Sequence, residues 1–459
     1  MFLPLGDLRH QWRNKMNYST PPLTVTSPDT IFFPPASGVA PSGAAPISWQ
    51  ETHRKAEVVD LHTHPGIKAT ILGSDLNSSK RGPLLKFFER KFWPFSNRVT
   101  FPKINEGGVD VILSTAYTLE QGWIDDIRLI RWLFWLFPSV RKRVVDPTYF
   151  DATNQMLDEI EKQMSAYNLT ASEDGMRKAR LADSVAELNM GLEAGDMCIV
   201  HSVEGAHCLN GAEAGRTLED EIMSPPEAIE EELLNNLEHF FNRGVAYLTL
   251  AHFYPNHVAY PVFPYPDYAM KHMDWKKAMG KWDMNKGLTP LGEKIVEKML
   301  DLGMLIDIVH CTPKARTRVM EIAKHHRKKS CIIASHAGAF EINRDPYNLT
   351  DKEIKWIGDN GGVIGVIFMN YWLSPIDSDF GLKHIEQTMN HIINIGGIDA
   401  VGIGTDYDGF TDPPDEIVDI SELPRLTKYL MTLGYSDNQL RAILGGNAMR
   451  VLREGWGKK

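Results

Sequence analysis

Glu57-Val58-Val59-Asp60-Leu61-His62-Thr63-His64 reads as a buried strand that ends in metal-ligand chemistry. An apolar run is followed by two imidazoles at its tip, and such a pair alone is a weak signal. Here the pattern recurs. His201-Ser202-Val203-Glu204-Gly205, Leu250-Ala251-His252, Asp307-Ile308-Val309-His310, Ala334-Ser335-His336 and Gly404-Thr405-Asp406-Tyr407-Asp408 each follow an apolar run and carry ligand-type side chains. Six such tips imply strands whose C-terminal ends converge on one polar site. A (β/α)8 TIM barrel builds its active site in that place.

Working outward, eight windows have the near-continuous apolar character of strands buried on both faces of a parallel sheet. They are 57–62, 109–114, 197–202, 245–251, 304–309, 330–335, 362–368 and 400–405. Amphipathic helical stretches separate most of them, as at 176–194, 228–243, 290–302 and 383–395. Thr350, followed by Asp351-Lys352-Glu353, reads as a helix N-cap with acidic first-turn residues. Alternation of strand and helix gives an α/β barrel. Two connections are long and read as insertions: 119–175, expected to form a helical cap, and 253–287, expected to face substrate.

Residues 1–50 read as an N-terminal arm, extended or partly disordered, because 18–50 is rich in Pro, Ser, Thr and Ala. The barrel domain is expected over 51–459. The chain starts without a continuous apolar segment or a small-residue cleavage site, so a secretory signal is not expected. The longest greasy run, Leu129 to Phe137, contains Arg131 and is too short to span a bilayer. It reads first as a buried or capping helix, and otherwise as a contact for a membrane surface or an apolar substrate. The net charge of −10 and the lack of a Lys/Arg stripe argue against a nucleic-acid partner. None of the four cysteines forms a CxxC pair, which suits a reducing compartment, here taken as the cytoplasm.

The chemistry follows from the tips. Strand alternation would point Asp60, His62 and His64 the same way, into the barrel. Glu204 is a carboxylate able to bridge two metals, and Gly205 permits a sharp turn after it. His310 and His336 end adjacent strands in the same position. Asp406 can touch a metal and take a proton from water, whereas Asp408-Gly409 reads as a turn. His252 suits polarisation of a substrate carbonyl. Imidazole and carboxylate together favour Zn or a similar divalent ion. No Gly-x-Ser-x-Gly elbow follows a strand and no phosphate-binding loop appears.

Order and spacing resemble the membrane dipeptidase (renal dipeptidase) family of zinc metallopeptidases, within the amidohydrolase-like barrels. The resemblance runs from about Ala56 to Leu452. It is carried by Asn105-Glu106-Gly107-Gly108-Val109, Val203-Glu204-Gly205-Ala206-His207, Tyr247 to His252, Gly287-Leu288-Thr289-Pro290-Leu291-Gly292, Ile306 to His310, Ser335-His336, Gly404 to Gly409 and Gly446 to Val451. It implies that His62 binds a first metal, Glu204 bridges two, and His310 and His336 bind the second. It places Asp406 as acid/base and His252 on the substrate or tetrahedral intermediate. The family has His-x-Asp where this chain has His62-Thr63-His64, so His64 is the expected substitute ligand. It also has a carboxylate-binding arginine where this chain has Tyr347, and Arg344 lies three residues earlier. A dipeptidase-like hydrolase of small peptides or amides follows, with two divalent ions and, as is frequent in the family, a homodimer. The alternatives are an amidase of N-acyl, lactam or modified substrates, and a metal-binding barrel without catalysis.

Overall fold

A computed structural model describes residues 47–78, 96–216, 222–263, 281–326, 332–374, 381–409 and 411–458. Among the described residues, nine parallel strands form one sheet: β1 Val59–Thr63, β2 Val111–Ala116, β3 Ala179–Leu181, β4 Met197–Glu204, β5 Tyr247–Thr249, β6 Leu305–Asp307, β7 Ile332–Ala337, β8 Val363–Val366 and β9 Val401–Ile403. Eight run in the order β1-β2-β4-β5-β6-β7-β8-β9, and β3 pairs on the side with β4. Helices intervene along the whole series, so this is the expected (β/α)8 barrel.

The ring closes between β1 and β9 beyond the regular ladder. Asp406 N donates to His62 O at 2.9 Å, and His64 N donates to Tyr407 O at 2.8 Å. Asp60 reinforces this seam by accepting from Thr405 N at 3.0 Å and Thr405 Oγ1 at 2.7 Å. Gly404 lets the neighbouring strands approach, since a Cβ there would lie 1.8 Å from Ser335 O.

Inside the ring, Val59, Leu61, Val111, Leu113, Val200, Leu305, Ile333 and Val363 pack into one apolar cluster with Trp456. The outward positions of the strands join a second core under the helices. Helices begin as their sequences dictate. Thr350 and Glu353 form a reciprocal capping box on the helix Asp351–Asp359.

Three expectations need correction. The stretch 176–194 is not one helix: Ala179–Leu181 is an edge strand, and the helix Val185–Ala194 starts at the Ser184 cap. Simple alternation fails in β1, where the pairing register shifts between Asp60 and Thr63. One extra residue there leaves Asp60 on the β9 seam while His62 reaches across the barrel. The greasy run is a helix, Arg128–Leu136, but none of its residues is buried.

The 119–175 connection carries that helix together with Gln121–Asp126, Pro138–Val144 and Tyr149–Asn168. Residues 264–280 of the expected substrate-facing connection lie outside the described residues, as do residues 1–46 of the expected N-terminal arm and Cys331. No described helix is long and apolar enough to cross a membrane.

Candidate metal centre

Glu204 is the hub. It ends β4 and is followed by Gly205 at φ 85°, the left-handed turn that a side chain would resist. Five imidazoles face its carboxylate. On Oε1, His62 Nε2 lies at 3.4 Å, His310 Nε2 at 3.3 Å and His336 Nε2 at 3.4 Å. On Oε2, His64 Nε2 and His252 Nε2 each lie at 3.3 Å. Asp406 Oδ1 is 3.3 Å from His64 Nε2 and 3.9 Å from His62 Nε2. The structure thus brings seven expected residues from six strand tips into one cluster, all of them buried.

The far nitrogens show which way the lone pairs point. His64 Nδ1 lies 3.1 Å from Thr115 O, a carbonyl that can only accept, so Nδ1 carries the proton. Ser335 Oγ donates to Asp307 Oδ2 at 2.6 Å and lies 2.8 Å from His336 Nδ1, which therefore donates to it. Tyr247 Oη donates to Leu61 O and lies 2.7 Å from His62 Nδ1, fixing that ring in the same sense. All three Nε2 atoms present lone pairs to the centre, where His62 and His64 Nε2 are only 2.9 Å apart. Lone pairs aimed at each other and at two carboxylates require positive charge between them, as shared protons or as a metal ion.

The electrostatics show the same demand for positive charge, which a proton on His64 meets when no metal ion does. Burial opposes ionisation of Glu204, but the imidazoles, His252 and His62 foremost, hold its carboxyl well below the usual range. Burial also opposes charge on His64, yet Asp406 and Glu204 raise it to about 10. Burial lowers His310 and His336, helped by the neighbouring imidazoles. Glu204 Oε1 is buried without a hydrogen-bond partner.

The donor spacing also fits metal. His310, His336 and Glu204 Oε1 are mutually 3.2, 3.3 and 3.4 Å apart. Two ligands about 2.0–2.1 Å from one tetrahedral zinc lie roughly 3.3 Å from each other. The groups His62–His64–Glu204 and Glu204–His252–His310 are both close enough to hold an ion. A third such group, His62–Asp307–His336, contains an aspartate already engaged by Thr249 Oγ1 and Ser335.

Backbone strain marks the same place. The described non-glycine residues with positive φ are His310 at 65°, Asp406 at 57° and Asp408 at 69°. That conformation costs free energy and persists where surrounding bonds impose it. For Asp408 they are visible: it accepts from Arg98 N, Val99 N and Lys68 Nζ, so it clamps the turn.

Glu120 was not singled out in the sequence. It sits four residues past β2, fully enclosed, and accepts from Phe253 N and Tyr254 N at 2.9 Å each. Its Oε2 is 3.2 Å from His252 Nδ1 and accepts from Tyr117 Oη at 2.9 Å. Its only sequence signal is an acid shortly after a strand tip, in Tyr117-Thr118-Leu119-Glu120.

Of the three expected substrate contacts, His252 belongs to the hub, Tyr347 packs against His310, and Arg344 pairs elsewhere. Tyr347 is completely buried behind His310 and His336, donates to His336 O at 2.7 Å and stacks on Trp372. Arg344 is exposed and paired with Glu341 at 3.3 Å.

Comparison with known proteins agrees with this construction. The model of the membrane dipeptidase family, peptidase family M19, matches residues 227–455. An uncharacterised protein of Klebsiella pneumoniae is 38% identical over 180 residues, 39% of this chain and 64% of that protein. Dipeptidase tcpJ of Claviceps purpurea is 25% identical over 305 residues, 66% of this chain and 59% of that protein. The chain therefore spans about three fifths of the length of these relatives. Among solved structures, the probable dipeptidase PvdM of Pseudomonas aeruginosa superposes with a TM-score of 0.63 at 19% identity, covering 90% of this chain and 98% of that one. At that identity the likeness speaks for the fold. With the family model matching from Glu227 to Gly455 and curated dipeptidases aligned over most of the barrel, the chain belongs to the membrane dipeptidase family of metallopeptidases.

Proposed function

We propose that this chain is a metal-dependent hydrolase of dipeptides or related small amides. The observation that supports it most is Glu204, a buried carboxylate ringed by five imidazole nitrogens at 3.3–3.4 Å with one oxygen unpartnered. His62, His64 and Asp406 would hold one divalent ion, His310 and His336 a second, with Glu204 between them; zinc suits this donor set. Such ions would lower the pKa of water towards about 7 and polarise a carbonyl oxygen.

The chain's own groups do the rest. Asp406 Oδ1 takes the proton of the attacking water and returns it to the leaving amine. His252 Nε2 faces the developing oxyanion, and its other nitrogen is tied to Glu120, so the ring needs no reorganisation during reaction. Tyr347 supports His336 from behind.

The second reading, an amidase of N-acyl, lactam or modified substrates, rests on one observation. At the place of the family's carboxylate-binding arginine stands Tyr347, whose hydroxyl already serves His336 O. A free dipeptide carboxylate then has no bidentate cation at that position. Matched substrates with free and blocked carboxyl ends separate the two: little preference for the free acid supports the amidase, and a strong one lost in Arg344→Ala makes Arg344 the anchor. Metal analysis with a dipeptide panel tests the hydrolase itself. A metal-loaded chain that cleaves neither class of substrate would mean a binding barrel instead.

A cytoplasmic setting and a homodimer belong to the same proposal. Cys198, Cys208 and Cys311 are free and buried, which suits a reducing compartment.

A further inference from the structure

The helix Arg128–Leu136 is inside out. Leu129, Trp132, Leu133 and Leu136 recur at i, i+3, i+4 and i+7, the stripe that a surface helix normally turns to the core. Here the stripe faces solvent: exposure runs from 40% at Leu133 to 54% at Trp132, with Trp135 at 74% and Phe137 at 55% beside it. Exposed apolar surface of this extent marks an interaction site.

The charges around it name the occupant. From Ile127 to Val145 the sequence holds Arg128, Arg131, Arg141, Lys142 and Arg143 and no acid, in a chain of net charge −10. Arg128, Arg141, Lys142 and Arg143 are exposed. The basic helix Pro138–Val144 packs beside the aromatic one and against the helix Pro65–Leu72. Arg143 donates to Ile71 O, and Leu72 extends the apolar surface at 41% exposure. Tryptophan, leucine and phenylalanine rimmed by arginine and lysine are the makings of a helix lying in a membrane interface. A second copy docking through the same patch would set these cations against their own images, which two-fold symmetry cannot avoid.

We propose that this face docks on the surface of an anionic lipid bilayer. The apolar side chains enter the headgroup boundary and the cations pair with lipid phosphates and carboxylates. Docking would lie at the site end of the barrel. Ile127 and Ile130 pack with Tyr254 and Trp282, and the Tyr254 N–H is bound by Glu120, the partner of His252.

The test uses the whole chain and vesicles of phosphatidylcholine with or without phosphatidylserine, read by co-sedimentation and tryptophan fluorescence. Association is expected with the anionic vesicles, with blue-shifted emission and steep loss in salt. The variant Arg141→Glu/Lys142→Glu/Arg143→Glu should bind at least about tenfold more weakly, since each cation near the surface contributes roughly fivefold. Trp132→Ser/Trp135→Ser should lose the emission shift and at least about tenfold in affinity. Both should keep the parent's circular dichroism and melting temperature, because the altered side chains are exposed. The proposal is overturned if the parent ignores anionic vesicles, or if both variants bind as well as the parent. It is equally overturned if ultracentrifugation shows a parent dimer that both variants dissociate, which makes the face a contact between copies.

Discussion

Glu204 and Glu120 are both buried acids near imidazoles, yet they do different things. Glu204 has an unpartnered oxygen and touches five rings, so Glu204→Gln should remove bound metal and cut kcat/KM by at least about a hundredfold. Full activity with undiminished metal by elemental analysis would refute that. Glu120 spends its oxygens on two backbone amides, a phenol and His252. Glu120→Gln should keep the metal and lower kcat about tenfold to a hundredfold with little change in KM, because a mis-set imidazole costs the transition state more than the ground state. Metal loss in that variant would reassign Glu120 to holding the cluster. His64 and Asp406 supply a third comparison. His64→Asp adds a carboxylate where a neutral ring stands, so it should bind the first metal more tightly in a competitive chelator titration; equal or weaker affinity would reject this view of the site's charge. At this scale the sequence was informative wherever a ligand-type side chain followed a long apolar run. His62, Glu204, His310, His336 and Asp406 were visible for that reason. Glu120 was not, because what marks it is a set of bonds to Phe253, Tyr254 and His252, more than a hundred residues away.

At the scale of elements, the eight barrel strands were legible because each is buried on both faces. Strand β3 was hidden: three residues, partly exposed at Arg180 and Leu181, show no periodicity inside a stretch that otherwise reads as helix. The bulge in β1 was equally invisible, since an extra residue in a pairing leaves no trace in one strand's own sequence. Where local chemistry decides, the sequence reading held, as at Thr350. Thr350→Ala should cost about 1 kcal/mol, seen as a lower urea midpoint with unchanged slope. The helix Tyr149–Asn168 offers a pH test. Glu161 bonds His201 on β4 at 3.1 Å and Arg243 at 2.7 Å. The His201 contact foremost, against the opposing effect of burial and with Arg243 adding to it, holds this carboxyl down at about 2. A depressed folded pKa gives stability that is complete above the unfolded value of about 4.3 and lost as pH falls towards 2. Glu161→Gln should therefore lower the melting temperature at neutral pH, and the gap should close in acid. A gap independent of pH would show that shape, not charge, is what matters there.

At the scale of the molecule, the metal centre and the fold stabilise each other. Ions that bind only the assembled ring add stability by mass action, about 2.7 kcal/mol at a hundredfold excess over Kd. Dialysis against a chelator should lower the melting temperature, and zinc should restore it. An unchanged melt after complete metal removal would show a site whose strand tips are held without it, by Asp60 and Asp307 alone.

The seam between β1 and β9 has a consequence in time. Asp60 and Thr405 meet across 345 residues of sequence. A ribosome adding roughly 5–20 residues per second needs on the order of tens of seconds between them. For most of that interval the growing polypeptide carries His62 and His64, joined part-way by Glu204, with no finished ring to hold them. The last strand to be translated both shuts the cylinder and delivers Asp406. A chain cut short before Thr405 should therefore leave the ribosome with its imidazoles made, its ring open and no place to capture an ion.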